Sequence, residues 1–251
     1  MQCRSDFGCY CAAAVLFRIR SVPHSLFIAI FADEKKINME YLAIRDIKPK
    51  HEGSKKMFDN PVLDKLTKSH IAIPVSLLIA FAAVFVYYGI SRGFISGQQA
   101  ILLVPVGLIT FSLFEYLMHR YLYHMVPTNR LKGWIQYNMH GVHHEYPKDK
   151  KRLAMPPLVI ILAAFLFLSI FRLIMGPAAF AFTPGFLLGY ASYLGVHYIV
   201  HAFQPPDNIL KELWINHSIH HYKDPDAAFG VSSPLWDYVF RTMPKRKKKE
   251  V

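Results

Sequence analysis

The chain has 251 residues, 53% of them hydrophobic, a mean hydropathy of +0.22 and a formal net charge of +12. These values argue against a soluble domain and for a small integral membrane protein forming one compact unit. The only cysteines are Cys3, Cys9 and Cys11, which excludes a disulfide framework and a thiolate metal site in the body of the chain.

Residues 1–38 stand apart. The stretch from Ala12 to Ile30 is broken by Arg18, Arg20, Pro23 and His24, so it makes a poor span and a short signal-peptide core. Met39 opens an ordinary charged, amphipathic segment. Residues 1–38 are therefore expected to be a disordered extension or a mis-assigned start, and residues 39–70 a cytosolic lead-in. Uncharged runs follow at 71–91, 93–114, 153–171 and 173–206. With about 20 apolar residues needed to cross the hydrocarbon core, they predict four transmembrane helices at about 71–90, 99–118, 157–175 and 179–200. Pro74, Pro105 and Pro184 in or near these runs are tolerated because neighbouring helices satisfy freed carbonyls. Glu115 and Arg172 lie near span ends, where their charges can reach the headgroups.

Lys and Arg concentrate in 39–70, 119–157 and 201–251, whereas the short connection at 91–98 holds only Arg92. The positive-inside rule then places both termini and the central loop in the cytoplasm. The basic tail at 245–251 is read as meeting anionic lipid or solvent, because nothing else in the chain resembles a nucleic-acid reader.

Ten of the thirteen histidines fall into four groups: His119 and His124; His140, His143 and His144; His197 and His201; His217, His220 and His221. Two groups share the spacing H-x-x-H-H, and all four lie on one predicted membrane face. Residues i, i+3 and i+4 share a helix side, so the members of each triple are expected to project together. His119 and His124, five apart, fall about 140° apart on an α-helix. The second span must therefore bend or unwind near 120–123, or the two rings must approach from different sides. Imidazole suits iron, zinc, copper and nickel, and ten imidazoles are too many for one ion, so two metals are implied. Carboxylates should orient the rings from behind, and Glu115, Asp224 and Asp237 are nearest in sequence. His24, His51 and His70 are read as ordinary residues, and Tyr121, Tyr123, Trp134, Trp214 and Trp236 as a membrane-interface belt.

The order H-x4-H, H-x2-H-H, H-x3-H, H-x2-H-H over residues 119–221 resembles the fatty acid hydroxylase and sterol desaturase superfamily. Three stretches resemble its fatty acid 2-hydroxylase branch: Phe114-Glu115-Tyr116, Arg152-Leu153-Ala154-Met155-Pro156-Pro157, and Phe229-Gly230-Val231-Ser232-Ser233-Pro234-Leu235-Trp236-Asp237. The likeness covers roughly residues 60–244, with a hydroxylase domain expected over 71–244. It implies an all-α integral membrane fold, four transmembrane helices under a cytosolic helical cap, and the ten histidines holding two iron ions at their junction. It also implies O2 as co-substrate, a long-chain fatty acid of ceramide or a related sphingolipid as substrate, and hydroxylation beside the acyl carboxyl group. The fused cytochrome b5 domain of many branch members is not matched. Electrons are then expected from a separate carrier such as cytochrome b5 or a ferredoxin, in a bacterial inner membrane or the endoplasmic reticulum. Zinc, favoured over ferrous iron by imidazole, is expected to occupy the site on purification. Arg241 stands where the family often has glycine. Two other readings are a sister oxidation of a sterol, carotenoid or other lipid, and a metal-binding membrane protein without oxidation chemistry. A transporter is expected to place its ligands near the bilayer midplane, not along one face.

Overall fold

The structure, a computed structural model, describes residues 43–245; the expectations for residues 1–38 and for all but the first residue of the 245–251 tail lie outside the described residues. Among the described residues every regular element is a helix. The lead-in ends in α1 (Pro61–Leu66), where the Asn60 side-chain oxygen Oδ1 accepts from the Val62 and Leu63 amides and Pro61 occupies the first turn. The first apolar run forms α2 (Ala72–Ser91), with Pro74 in its first turn, where a missing N–H breaks no helical bond. Ser96 and Gln99 then form a reciprocal capping box that starts α3 (Gly97–Leu117), and the helix continues as a π-helical stretch, Met118–Tyr123.

Asn129 caps α4 (Arg130–Gln136), which passes through a second π-helical stretch, Tyr137–Gly141, into α5 (Val142–Glu145). Next comes α6 (Pro157–Met175), which ends at Gly176 with a φ of +60°. A left-handed residue suits glycine there, and it reverses the chain into α7 (Ala179–Ala202). Finally α8 (Lys211–Tyr222) and α9 (Leu235–Val239) complete the chain.

Three stretches are long and apolar enough to cross a membrane: Ala72–Ser91, Gly97–Tyr123 and Pro157–Ala202. The last contains both α6 and α7, folded back on each other. Phe171 meets Phe182 and Phe167 meets Phe186, so the contacts move backward along one helix as they advance along the other. Phe81 and Phe85 of α2 close on Phe165 of α6. At the end away from the histidines, Tyr88 and Phe94 meet Phe180, and the Arg172 guanidinium lies over Phe94 and Phe180. Cation–π contact thus offsets part of the cost of that charge.

The decisive contact is between α3 and α7, which carry two of the histidine pairs. A Cβ on Gly185 would lie 1.9 Å from the Val104 carbonyl oxygen, and one on Gly107 would lie 2.1 Å from that of Phe182. Only glycine allows the two backbones to touch, which is how helices associate where lipid removes the hydrophobic drive. The remaining elements gather at the histidine-bearing end. The Arg152 guanidinium, 7% exposed, donates to Asp64 at 2.9 Å and to Thr67 at 2.7 Å, pinning the lead-in to the loop after α5. Hydrogen bonds from Lys68, the Met57 amide and Arg152 hold the Asp64 carboxyl below its usual range.

Candidate metal centre

The ten clustered histidines meet in two groups of five. His119, His124, His140, His144 and His220 form one, and His143, His197, His201, His217 and His221 the other; within each, one ring nitrogen per residue lies within 4.8 Å of all the rest. Of the two alternatives for His119 and His124, an unwound span or rings approaching from different sides, the structure shows the first, as the π-helical stretch that continues α3. The His124 amide donates to the His119 carbonyl at 3.1 Å, the i to i+5 bond that brings the fifth residue back over the first.

The H-x-x-H-H triples do not project together. His140 and His144 serve the first group while His143 crosses to the second; His217 and His221 serve the second while His220 crosses to the first. Residues i and i+4 lie about 40° apart around a helix, whereas i+3 lies about 100° from i+4, so the third ring faces a neighbouring centre. Each triple thereby ties the two groups together.

Two loop carbonyls fix the first group. His119 Nδ1 donates to the Phe229 carbonyl at 2.6 Å, and His220 Nδ1 to that of Ala227 at 2.7 Å. Because a carbonyl only accepts, both rings carry their proton on Nδ1 and turn an Nε2 lone pair inward. Ala228, between the two carbonyls, has a φ of +56°, a left-handed conformation that costs an alanine about 1–2 kcal/mol. Buried carboxylates hold this loop on both sides. Glu115 accepts from the Val231 and Ser232 amides at 2.8 and 2.9 Å and from the Ser232 hydroxyl. Asp237 accepts from the Phe229 and Gly230 amides at 2.9 and 2.8 Å and from Thr242 at 2.6 Å. Burial pushes the Asp237 carboxyl up, against the pull of these donors.

Neither carboxylate touches a ring; both act through the loop. Asp224 does less, because it is exposed and, among the described residues, its carboxylate accepts only from the Asp226 amide at 3.2 Å, within its own turn. Tyr123 is drawn in from the expected interface belt and stacks on His140 at 5.2 Å. Sequence reasoning missed Ala227, Ala228 and Thr242. A backbone carbonyl leaves no side-chain signature, and only the neighbouring Phe229–Asp237 motif marked the place.

The donor set fits transition ions. His140 Nε2 lies 2.9 Å from His119 Nε2 and 3.0 Å from His144 Nε2, while His143 and His197 face each other at 2.8 Å and His201 and His217 at 2.7 Å. A neutral imidazole has one N–H, so such converging nitrogens present more lone pairs than protons, an arrangement a cation satisfies. Burial lowers the affinity for protons in the rings outside the long apolar helices: His220 is held down to about 4, and His124, His140, His143, His144, His217 and His221 are also driven well below their usual value. Neutral nitrogen ligands suit iron, zinc, copper or nickel and suit calcium or magnesium poorly.

The family model for fatty acid hydroxylases matches residues 104–242, which include all ten histidines with Glu115, Asp224 and Asp237. The chain belongs to the fatty acid hydroxylase family. Curated relatives carry the same chemistry in their names. A dihydroceramide fatty acyl 2-hydroxylase of Arabidopsis thaliana is 36% identical over 64% of this chain and 70% of its own length. A ceramide very long chain fatty acid hydroxylase of Schizosaccharomyces pombe is 34% identical over 78% and 57%, respectively. The human fatty acid 2-hydroxylase is 38% identical over 58% and 40%. The chain thus spans between two fifths and seven tenths of these relatives. A solved structure of full-length scs7p, in which only the hydroxylase domain is visible, superposes with a TM-score of 0.68 at 30% identity, covering 80% of this hydroxylase-family chain and 76% of that one. The expectation of a membrane hydroxylase fold agrees with that superposition, and the expectation of an enzyme agrees with the relatives' names.

Proposed function

We propose that the chain uses two iron ions, O2 and two external electrons to place a hydroxyl at C2 of a long-chain fatty acyl group, in ceramide or a related sphingolipid. The observation that carries this reading is the pair of five-imidazole groups at the end of an apolar helical bundle. The relatives named for dihydroceramide and ceramide hydroxylation support the substrate class.

His119, His124, His140, His144 and His220 would hold one ion, and His143, His197, His201, His217 and His221 the other. The ions, when bound, supply the oxidising chemistry for an unactivated C–H bond. The protein's own residues orient the rings and exclude water. Phe229 and Ala227 set two tautomers, Glu115 and Asp237 hold the loop that carries those carbonyls, and Tyr193 stacks on His197 at 5.4 Å. Below them Phe111, Phe114, Phe167 and Phe186 pack into an aromatic wall suited to an acyl chain.

In the membrane, α2, α3, α6 and α7 form four spans. The remaining elements form a cap on the cytoplasmic face, a reading that the concentration of Lys and Arg on that side supports. The membrane is the endoplasmic reticulum or a bacterial inner membrane, and a separate carrier such as cytochrome b5 or a ferredoxin supplies electrons.

Lipid extracts from cells expressing the chain provide the test. Acyl chains hydroxylated at C2 are expected, and they should vanish for His143→Ala and for His220→Ala while membrane insertion persists. Oxygenated sterols, carotenoids or other lipids instead would assign the sister oxidation, and no oxygenated lipid in the presence of iron and reductant would overturn the reading.

A further inference from the structure

The chain before α1 crosses the ends of both ligand-bearing helices. The Lys50 amide donates to the Glu145 carbonyl at 2.7 Å, and Lys50 Nζ reaches Glu145 Oε1 at 2.5 Å and the Tyr146 hydroxyl at 3.2 Å; Glu145 directly follows His144. One residue on, the His51 ring stacks on Tyr222 with centroids 6.1 Å apart and planes 25° apart. Tyr222 directly follows His221 and meets its ring at 6.1 Å. His51 and Tyr222 are exposed, whereas His221 is buried. Two consecutive ring contacts therefore lead from solvent to the second imidazole group.

The surroundings are cationic. Lys48, Lys50, Lys148, Lys150, Lys151 and Lys223 are exposed on this strap, on the loop after Tyr146 and on the turn after Tyr222. Exposed Asp46, Glu52, Asp224 and Asp226 oppose them, and Arg45 lies 3.8 Å from Asp226. The balance is positive.

We infer that this face docks an acidic one-electron carrier protein and that electrons enter through His51 and Tyr222 toward His221. The inference rests on the hydroxylase reading: R–H + O2 + 2 H+ + 2 electrons gives R–OH + H2O, so each turnover oxidises two reduced carriers. Cations alone would also suit an anionic lipid surface. The exposed aromatic pair in contact with a clustered histidine favours a redox partner, because a headgroup makes no use of it.

The test uses the full chain in neutral-lipid nanodiscs, with the soluble haem domain of a cytochrome b5 as probe and a plant-type ferredoxin as a second acidic probe. Lys48→Glu with Lys223→Glu should weaken binding of the oxidised probe about tenfold, and salt should weaken wild-type binding in the same way. Carrier-driven turnover of His51→Leu and of Tyr222→Leu should fall about tenfold relative to turnover driven by reduced methyl viologen, a small donor with no docking requirement. An unchanged ratio in these variants would overturn the route. Wild-type binding that is absent or insensitive to charge reversal would overturn the docking face. Loss of binding to phosphatidylserine vesicles with carrier binding intact would assign the face to lipid. Should the wild type yield no hydroxylated lipid with either reductant, the hydroxylase reading fails, and probe binding still decides the docking face.

Discussion

Replacing Asp237 with asparagine tests whether the loop over residues 227–232 sets the first imidazole group. The Asp237 side chain is 1% exposed, and its two oxygens take three donors: the Phe229 amide, the Gly230 amide and the Thr242 hydroxyl. Asparagine keeps one acceptor oxygen. With that oxygen turned toward Phe229 and Thr242, its NH2 faces the Gly230 amide at the place of an oxygen that now sits 2.8 Å away. One hydrogen bond to a charged group disappears and one buried N–H loses its acceptor, a cost of about 3 kcal/mol. In a chain of this size that lowers the Tm by roughly 6–12 °C. The Phe229 carbonyl that orients His119 belongs to the residue released by the change, so the first group should loosen while the second keeps its five rings. Thermal unfolding in detergent and metal content per chain are the assays. The expected result is a lowered Tm and loss of about one of two ions, whereas Thr242→Val, which removes the hydroxyl's bonds to Asp237 and Tyr116 but keeps the Phe229 and Gly230 amides on the carboxylate, should retain more of the metal. An Asp237→Asn protein with the wild-type Tm and full metal content would refute the role assigned to the loop.

His220→Ala and His143→Ala should each cost metal in the group that the mutated ring reaches across to, not the group its sequence neighbours occupy, which single-site spectroscopy of a cobalt-substituted protein can resolve. Arg241 has a φ of +57°, so Arg241→Gly should stabilise the chain by about 1 kcal/mol, seen as a small rise in Tm. Gly185→Ala puts a methyl 1.9 Å from a carbonyl oxygen on α3 and should sharply reduce folded yield; normal yield and activity would mean the helices do not touch there. For the metal-free protein, the sign of the pH dependence follows from histidine pKa values that are lowered by folding. The unfolded chain takes up protons below its ordinary value of 6.5 while the folded chain does not, so stability should fall as pH drops from 6.5 toward about 4, where folded His220 begins to protonate. A flat Tm across that window would contradict the buried, neutral state of these rings.

Much of the fold was legible because its signals are local. Runs of uncharged residues mark the long helices, Ser96 with Gln99 marks a helix start, and the five-residue interval between His119 and His124 announced a departure from α-winding in α3. The ligand set was legible for the same reason, since imidazoles at fixed spacing mean little apart from metal. The partition of that set was not. Periodicity says which side of a helix a ring occupies, but not what stands opposite, and His143 and His220 meet their groups across gaps of 54 or more and 76 or more residues in the chain. The carboxylates show the same limit: nearness in sequence made Glu115, Asp224 and Asp237 candidates together, yet two clamp the loop while the third faces solvent. Arg241, noted as a departure from the family's usual glycine, does sit in the left-handed conformation that glycine favours.

The sequence by itself determined the kind of protein: its apolar runs are long enough to cross lipid, and ten imidazoles in four spaced groups point to a metal site. Only the tertiary structure decided that these ten form two groups with an exchanged ring each, that backbone carbonyls at 227 and 229 choose the tautomers, and that the strap at 50–51 lies against the residues following both H-x-x-H-H runs. The physical reason is range. Hydropathy and helical spacing act over one or two turns, whereas the His119 ring is oriented by a carbonyl 110 residues away, in a loop that Glu115 holds across 116 residues, contacts that only the folded chain contains.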